Sequence, residues 1–456
     1  MVAAVDLHFH RDRVYPLFSL MPRSVYRPPF YRRILPWIFA IVFVTLAPTL
    51  IFYTAGYRIN PKKVTIERNG TLIADSVPTA AHIFLNGQDS KRVTPTSLLG
   101  LAPGPYDVHY EKLGYLSWNK TLEIRPEQAT FADKIRLWLD TGIAHVSDDA
   151  IAKLSTDDDG AKTAALIPTT KGWTVRILDV DGRQLAQASV NGMTTSTIPT
   201  VRWNTNGTAL ILDQQQAKKA DAWVDANTGS SGSLPAGDYA WEGTLIVGTD
   251  AGMRTTFDPR RGTFARERLA AGISAQTDTF DLLVSTSTGD MTIRPHSILR
   301  RLYALPRGTW IVDGVAATYT LLHQDGEWLA VTRSGEPERG IAEGDRPLWN
   351  ETGKNPRALL LNGNEVWLWA PGQDPLLLLR QSSPFISVVW HHAGEHVFVA
   401  TRERVFALEL DDRGGRTMTD LATGFSNIDA MTVTGKNLLI SGEKDGQQGL
   451  FLRAIE

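Results

Sequence analysis

The stretch VRWNTNGTALILDQ, Val201–Gln214, decides the architecture. A short strand pattern ends at Trp203. A polar turn, Asn204-Thr205-Asn206-Gly207, follows, and Ala209–Leu212 is apolar again. Gly in a polar cluster between two such runs reads as strand, turn, strand. The form recurs along the chain. VVWHHAGEHVFVAT (Val388–Thr401) repeats it with the Trp, and LSTDDDGAKTAALIPT (Leu154–Thr169) without it. PLWNETGKNPRALLLNGNEVWLWA (Pro347–Ala370) has a longer turn. Third strands with Asp or Asn and Gly punctuation follow in VRILDVDGRQ (175–184), AWVDANTGS (222–230) and VFALELDDRGG (405–415). WEGTLIVGTDAGMRTTFD (241–258) and FDLLVSTSTGDMTIRP (280–295) are weaker copies.

The units return every ~35–45 residues with several strands each, a period that means a β-propeller. Residues 140–456 then hold roughly seven or eight blades. A blade cannot bury both faces alone, and its neighbours cover them. GLFLRAIE at the C-terminus is expected to close the ring beside a strand near residues 142–152. Two separate β-sandwiches are the competing arrangement. The units resemble TolB-like and WD-repeat propellers in their general blade pattern, without Gly-His or Trp-Asp signatures.

Upstream, residues 64–138 keep the period of two. Ala81, Ile83 and Leu85 alternate and run into Asn86-Gly87, a hairpin signal. Tyr106, Val108 and Tyr110 alternate in YDVHYEK, and Leu122 and Ile124 in KTLEIRP. Thr94-Pro95 and Pro103-Gly104-Pro105 punctuate the runs. The expectation is a small antiparallel β-sandwich of about 70 residues. The order Pro78-Thr79-Ala80-Ala81, Asn86-Gly87, Thr94-Pro95, Pro103-Gly104-Pro105-Tyr106, Gly114-Tyr115 and Trp118 resembles the PEGA domain. Thr79 and Ala80 stand where that family has Glu and Gly. The resemblance implies an extracytoplasmic β-sandwich of structural or surface-layer type and carries no catalytic residue. FYTAGYRI after the apolar run is similar to membrane-anchored bacterial proteins of this family. Tyr106, Tyr115 and Trp118 are expected to pack in the core.

ILPWIFAIVFVTLAPTLIFYT, Ile34–Thr54, is free of charge. A bilayer core needs about 20 apolar residues in helix. A transmembrane helix is expected over residues 31–57, and a disordered cytoplasmic tail over 1–30, with Met21 a second candidate start. Arg32 and Arg33 abut the span and favour an inside N-terminus. The expected location is therefore the cytoplasmic membrane, single-pass, with residues 58–456 outside.

Chemistry is scarce. The chain has no Cys, so thiolate ligands, thiol nucleophiles and disulfides are excluded. A net charge of −2 gives no electrostatic case for nucleic acid. His392-Ala393-Gly394-Glu395-His396 matches a zinc-peptidase spacing, but that motif needs a helix and here stands between strands. Asp157-Asp158-Asp159-Gly160 reads as a solvated turn rather than a calcium loop. No nucleophile elbow, phosphate loop or dinucleotide fingerprint is present. No catalytic, metal or cofactor residue is assigned. The expected role is a membrane-anchored binding or envelope-organising protein whose PEGA-like spacer presents a propeller to protein or glycan. Cell-wall polymer, a surface layer or envelope proteins are the expected partners. A propeller-fold hydrolase or lyase, and a component of an envelope transport or assembly machine, are the alternatives.

Overall fold

The computed structural model describes residues 30–54, 57–60, 65–214, 220–236, 238–250, 252–297, 301–315, 319–350 and 356–456. The tail expected over residues 1–30 lies outside them, Phe30 excepted. Helix α1 (Tyr31–Thr54) carries an apolar window, Ile34–Phe52, of 19 residues with mean hydropathy 2.3. None of that window is buried by the rest of the chain. Such a helix is compatible with a membrane anchor or a signal peptide. The hairpin β1 (Tyr57–Asn60) and β2 (Thr65–Arg68) follows it.

Seven strands build the sandwich: β3 (Gly70–Val77), β4 (His82–Leu85), β5 (Gln88–Val93), β6 (Thr96–Leu101), β7 (Gly104–Glu111), β8 (Trp118–Ile124) and β9 (Ala129–Arg136). They form the sheets β6-β3-β9 and β5-β4-β7-β8. Leu72, Ile83, Val108, Tyr110, Ile124 and Ile135 fill the space between. The alternation read from the sequence is visible in β8, whose residues are buried and exposed in strict turn. One expectation is corrected. The sandwich is not purely antiparallel, because β3 and β9 pair in parallel from Thr71↔Ala129 to Val77↔Arg136. Parallel neighbours need a long crossover. Strands β4 to β8 supply it, so β9 returns along β3 in the same direction.

Beyond the sandwich, eight four-stranded sheets follow one another among the described residues. Blade 1 spans 153–191, blade 2 200–236, blade 3 238–268, blade 4 273–304, blade 5 311–343, blade 6 348–380 and blade 7 387–422. Blade 8 takes its inner three strands from 425–454 and its outermost from β10 (Ala144–Ser147), which pairs with the last strand, Gln447–Ala454. The chain thus closes N-terminal strand on C-terminal strand. Each blade runs from its inner strand outward. The inner strand of blade 8, Phe425–Thr434, lies against those of blade 1, Lys153–Thr156, and blade 7, Ser387–Trp390.

Neighbouring blades share apolar clusters: 1 with 2 through Leu166 and Leu210, 5 with 6 through Trp328 and Leu360, 8 with 1 through Leu439 and Leu154. Among the described residues no such cluster joins blade 3 to blade 4. Instead the inner strand of blade 3, Asp238–Glu242, lies against that of blade 5, Ile311–Val315.

The recurrent Trp has a physical reason. Trp203 donates its indole N–H to the Ser155 carbonyl of the preceding blade at 3.2 Å, Trp241 to Arg202 at 2.8 Å and Trp390 to Leu348 at 2.6 Å. One residue thus packs a large apolar ring and pins two inner strands together. Blade 6 departs from the rule. Trp349 stacks against Tyr319 at 5.8 Å between ring centroids, and its buried indole nitrogen has no partner among the described residues.

Candidate functional site: two charged faces of the propeller

The inner strands all run from one face of the propeller to the other, so the two faces carry different turns. The sandwich sits on the face where the inner strands end. There the Lys120 side chain reaches Glu409 at 3.2 Å and the Asp411 carbonyl at 3.0 Å. The Lys120 and Glu409 side chains are 3% and 7% exposed, so this pair is desolvated. Trp118 donates to the same Glu409 carboxylate at 3.4 Å. Arg413 spans from Asp411 to Asp133 of β9. The fit is close: a Cβ at Gly414, whose φ is +68°, would stand 2.2 Å from the Thr121 carbonyl oxygen. Only Gly lets the turn of blade 7 approach β8 this closely.

Trp138 forms the second half of the junction. Its ring meets His391 at 5.4 Å, His396 at 5.3 Å and Phe398 at 5.2 Å, each edge to face. His391 donates Nε2–H to Glu456 at 2.7 Å, and Arg136 holds the same carboxylate oxygen at 2.5 Å. The Ala393 amide donates to His391 Nδ1, which fixes the tautomer. Burial opposes charge on Glu456, but the His391 bond and Arg136 bring its carboxyl down to about 2. Burial pushes the His396 imidazole down to about 3, with His391 adding to the effect. Both rings are therefore neutral packing elements at physiological pH.

The opposite, distal face is where inner strands begin. Arg202 of blade 2 reaches across to Asp313 of blade 5 at 3.2 Å and to Asp213 at 2.7 Å. Arg346, at the entry to blade 6, binds the other Asp313 oxygen at 2.7 Å. Arg202 and Asp313 are almost fully buried. This chain of charges ties blades 2, 5 and 6 together. Burial works against both charges. Asp313 and Asp213 nonetheless hold the guanidinium of Arg202 above its ordinary range, and Arg346 and Arg202 hold Asp313 below its own.

Asp221, almost fully buried, stands beside this chain of charges. Burial, reinforced by Asp213, raises the Asp221 carboxyl to about 7. It accepts one backbone hydrogen bond, from Gln214 at 3.3 Å. Two cavities among the described residues lie away from these charges. One, of about 740 Å³, lies against the sandwich at Arg68, Pro105 and Glu127; the other, of about 300 Å³, is at the seam of blades 8 and 1 beside Asp149 and Arg176.

The family comparison bears on the sandwich. Residues 69–136 match the PEGA domain. That is the family its Pro, Gly and Tyr pattern resembles. No curated protein matches the chain. Among solved structures, the β-propeller domain of Myceliophteria thermophila Cps50 (Swd1) superposes with a TM-score of 0.39 and 11% identity, over 69% of this chain and 98% of that one. The propeller description above stands on sheet order, independent of that likeness.

The motif positions of the PEGA domain have structural work. Asn86 and Gly87 both adopt positive φ between β4 and β5, and the Asn86 side chain accepts from the Asp107 amide at 2.9 Å. Thr94, almost fully buried, shares its hydroxyl with Ser76 at 2.6 Å and with the Ala81 amide at 3.0 Å. Pro78 and Pro95 follow cis bonds that flank this contact. Ala81 is fully buried, Pro103 and Gly104 open β7, and Tyr106 packs on the core. Gly114 has φ of +82°, and Tyr115 bridges to Leu139. Trp118 packs in the core and also donates to the propeller.

The His392–His396 motif stands in a turn, as its flanking strands require: His391 N–H bonds the His396 carbonyl at 3.1 Å. His391, His392 and Glu456 place ligand atoms within 4.8 Å of one another. Yet both His391 nitrogens are engaged, and Arg136 already holds the Glu456 oxygen, so a cation there would meet a guanidinium. The donor set suits an ion-paired latch. Glu395 turns away to Lys134 at 3.3 Å. Asp157 accepts from the Ala161 and Lys162 amides, as Asn204 does from Thr208 and Ala209. Asp157, Asn204 and His391 thus share one position and one task, closing the turn after the inner strand.

Proposed function

We propose that this chain is a membrane-anchored extracytoplasmic binding or envelope-organising protein, with the PEGA domain as a rigid spacer. One observation carries the reading. The PEGA domain is sealed to one face of the propeller by the buried Lys120–Glu409 pair and the Trp138 latch. The distal face and the blade rims stay free for a partner. Helix α1 supplies the anchor in this reading, with the N-terminus inside. Cell-wall polymer, surface-layer material or envelope proteins are the partners it fits.

Two measurements test this. Protease added to intact spheroplasts should remove the chain beyond residue 58; full protection overturns the orientation. Full-length protein in detergent should co-sediment with isolated wall polymer or retain defined envelope proteins; retention of neither overturns the binding role.

A second reading, a hydrolase or lyase working at the distal mouth, is favoured by one observation. Asp221 is held near neutrality beside Asp213, the kind of pairing that separates acid from base. Turnover of glycan or peptide substrates that Asp221→Asn abolishes would establish it.

A further inference from the structure

The outer strand of blade 3, Thr263–Arg268, differs from its counterparts. All six of its residues are exposed. The outer strand of blade 1, Gln184–Asn191, buries every second residue from Ala186 on, and that of blade 7 buries Leu421 and Ala422. Among the described residues blade 3 shares no apolar cluster with blade 4. One edge of Thr263–Arg268 pairs with Met253–Asp258. The other edge pairs with nothing in its sheet. Alternate residues of such an edge turn their N–H and C=O outward, and these groups template an added strand.

The side chains define what could be added. Phe264, Arg266 and Arg268 share one face by the period of two. Phe264, 47% exposed, stacks on the buried Phe257 at 4.3 Å between centroids. Arg260, Arg266 and Arg268 make no ion pair among the described residues, whereas Arg254 on the neighbouring strand is paired with Glu242. Glu267 is the one acid of the strand and points to the other face. The edge therefore offers hydrogen bonds, two free guanidiniums two residues apart, and an apolar ring two residues further on.

We propose that this edge binds an extended acidic protein segment as a fifth strand of blade 3. The segment carries two carboxylates two residues apart, opposite Arg266 and Arg268, and an apolar residue opposite Phe264. Cross-strand pairs of opposite charge and of apolar groups are what stabilise such an addition. The surface is separate from the distal mouth.

The test uses full-length protein in detergent and a short fluorescent peptide alternating Thr with Glu, Glu and Val. The same peptide with Lys for Glu, and inorganic polyphosphate, are the comparison ligands. The Glu peptide should bind, slow amide hydrogen exchange within Thr263–Arg268, and lose at least about tenfold in affinity on combining Arg266→Glu with Arg268→Glu. Both arginines are exposed and make no ion pair among the described residues, so the variant should keep its fold, read by unchanged circular dichroism. Absence of binding, equal binding of the Lys peptide, or binding without protection of that strand would each overturn strand addition. Polyphosphate displacing the peptide while leaving those amides unprotected would assign the arginines to a polyanion instead.

Discussion

The two faces of the propeller bury charge in opposite ways. On the face that holds the PEGA domain, Lys120 meets Glu409 and Asp411, and Glu456 meets Arg136 and His391. Charges there have partners, and the histidines are neutral fillers around Trp138. On the distal face, Arg202, Arg346, Asp213 and Asp313 pair with one another, but the buried Asp221 is left short of counter-charge among the described residues. A satisfied cluster fixes geometry. An unsatisfied one stores free energy that a proton or a ligand can release. That contrast is what the proposed spacer role of the first face and partner-facing role of the second rest on.

The comparison breaks most visibly at the junction. Removing one member of a buried pair strands the other charge, which costs about 3–5 kcal/mol. Glu409→Ala should therefore lower unfolding stability by about that amount in denaturant titration, since it also strands the Trp118 N–H. Replacing the pair together, Lys120→Met with Glu409→Leu, should recover most of the loss. If the single variant is neutral, the PEGA domain and propeller are not coupled through this contact.

The two faces should also respond to pH with opposite sign. His396 is depressed to about 3 from an ordinary value of 6.5. The unfolded chain then binds the extra proton first, so stability falls as pH drops through the window from about 6.5 to about 3, by a few kcal/mol. His396→Phe should flatten that acid limb in pH-dependent melting. Asp221 is raised to about 7 from 3.8. Its contribution is full below 3.8 and is lost as pH rises to about 7. Asp221→Asn should accordingly stabilise the protein by about 1–2 kcal/mol at pH 8 and leave it unchanged near pH 4. Equal effects at both pH values would mean that the carboxyl is not held neutral.

Much of this architecture was legible because it rests on short-range pattern. Period-two alternation and Gly-bearing turns locate the blades, and Trp203, Trp241, Trp349 and Trp390 mark the inner strands of blades 2, 3, 6 and 7. The count stayed at seven or eight because the outer strands of blades 4 and 5, Tyr303–Ala304 and Ala342–Glu343, are two residues long and leave no alternation to read. The parallel β3–β9 pair was missed for a related reason: nothing local records which way a returning strand runs. Lys120 was readable in principle, since it falls on the inward side of β8 between Trp118 and Leu122. A cation on an apolar face announces a buried partner. Arg202 sits inside the very stretch that reveals the fold, yet its partner Asp313 is 111 residues away. Charge clusters assembled by ring closure have no sequence period.

The smallest expected effect lies inside the PEGA domain. Ala80 occupies the place of Gly in the family's Pro-Glu-Gly-Ala motif, and its φ is +62°. A left-handed backbone costs a residue with a Cβ about 1–2 kcal/mol relative to a right-handed one. The conformation is nevertheless kept, because the Ala80 amide must reach the Thr94 carbonyl at 2.7 Å beside the buried Ser76–Thr94 contact. Ala80 itself is exposed, so its methyl group adds no core packing. Ala80→Gly should therefore stabilise the domain, by about 0.5–1 kcal/mol once the extra freedom of Gly in the unfolded chain is counted. The gain should appear in denaturant midpoints at every pH, unlike the effects at His396 and Asp221. A loss of stability on this substitution would mean that the turn is set by something other than the backbone angle that Gly at this motif position would relieve.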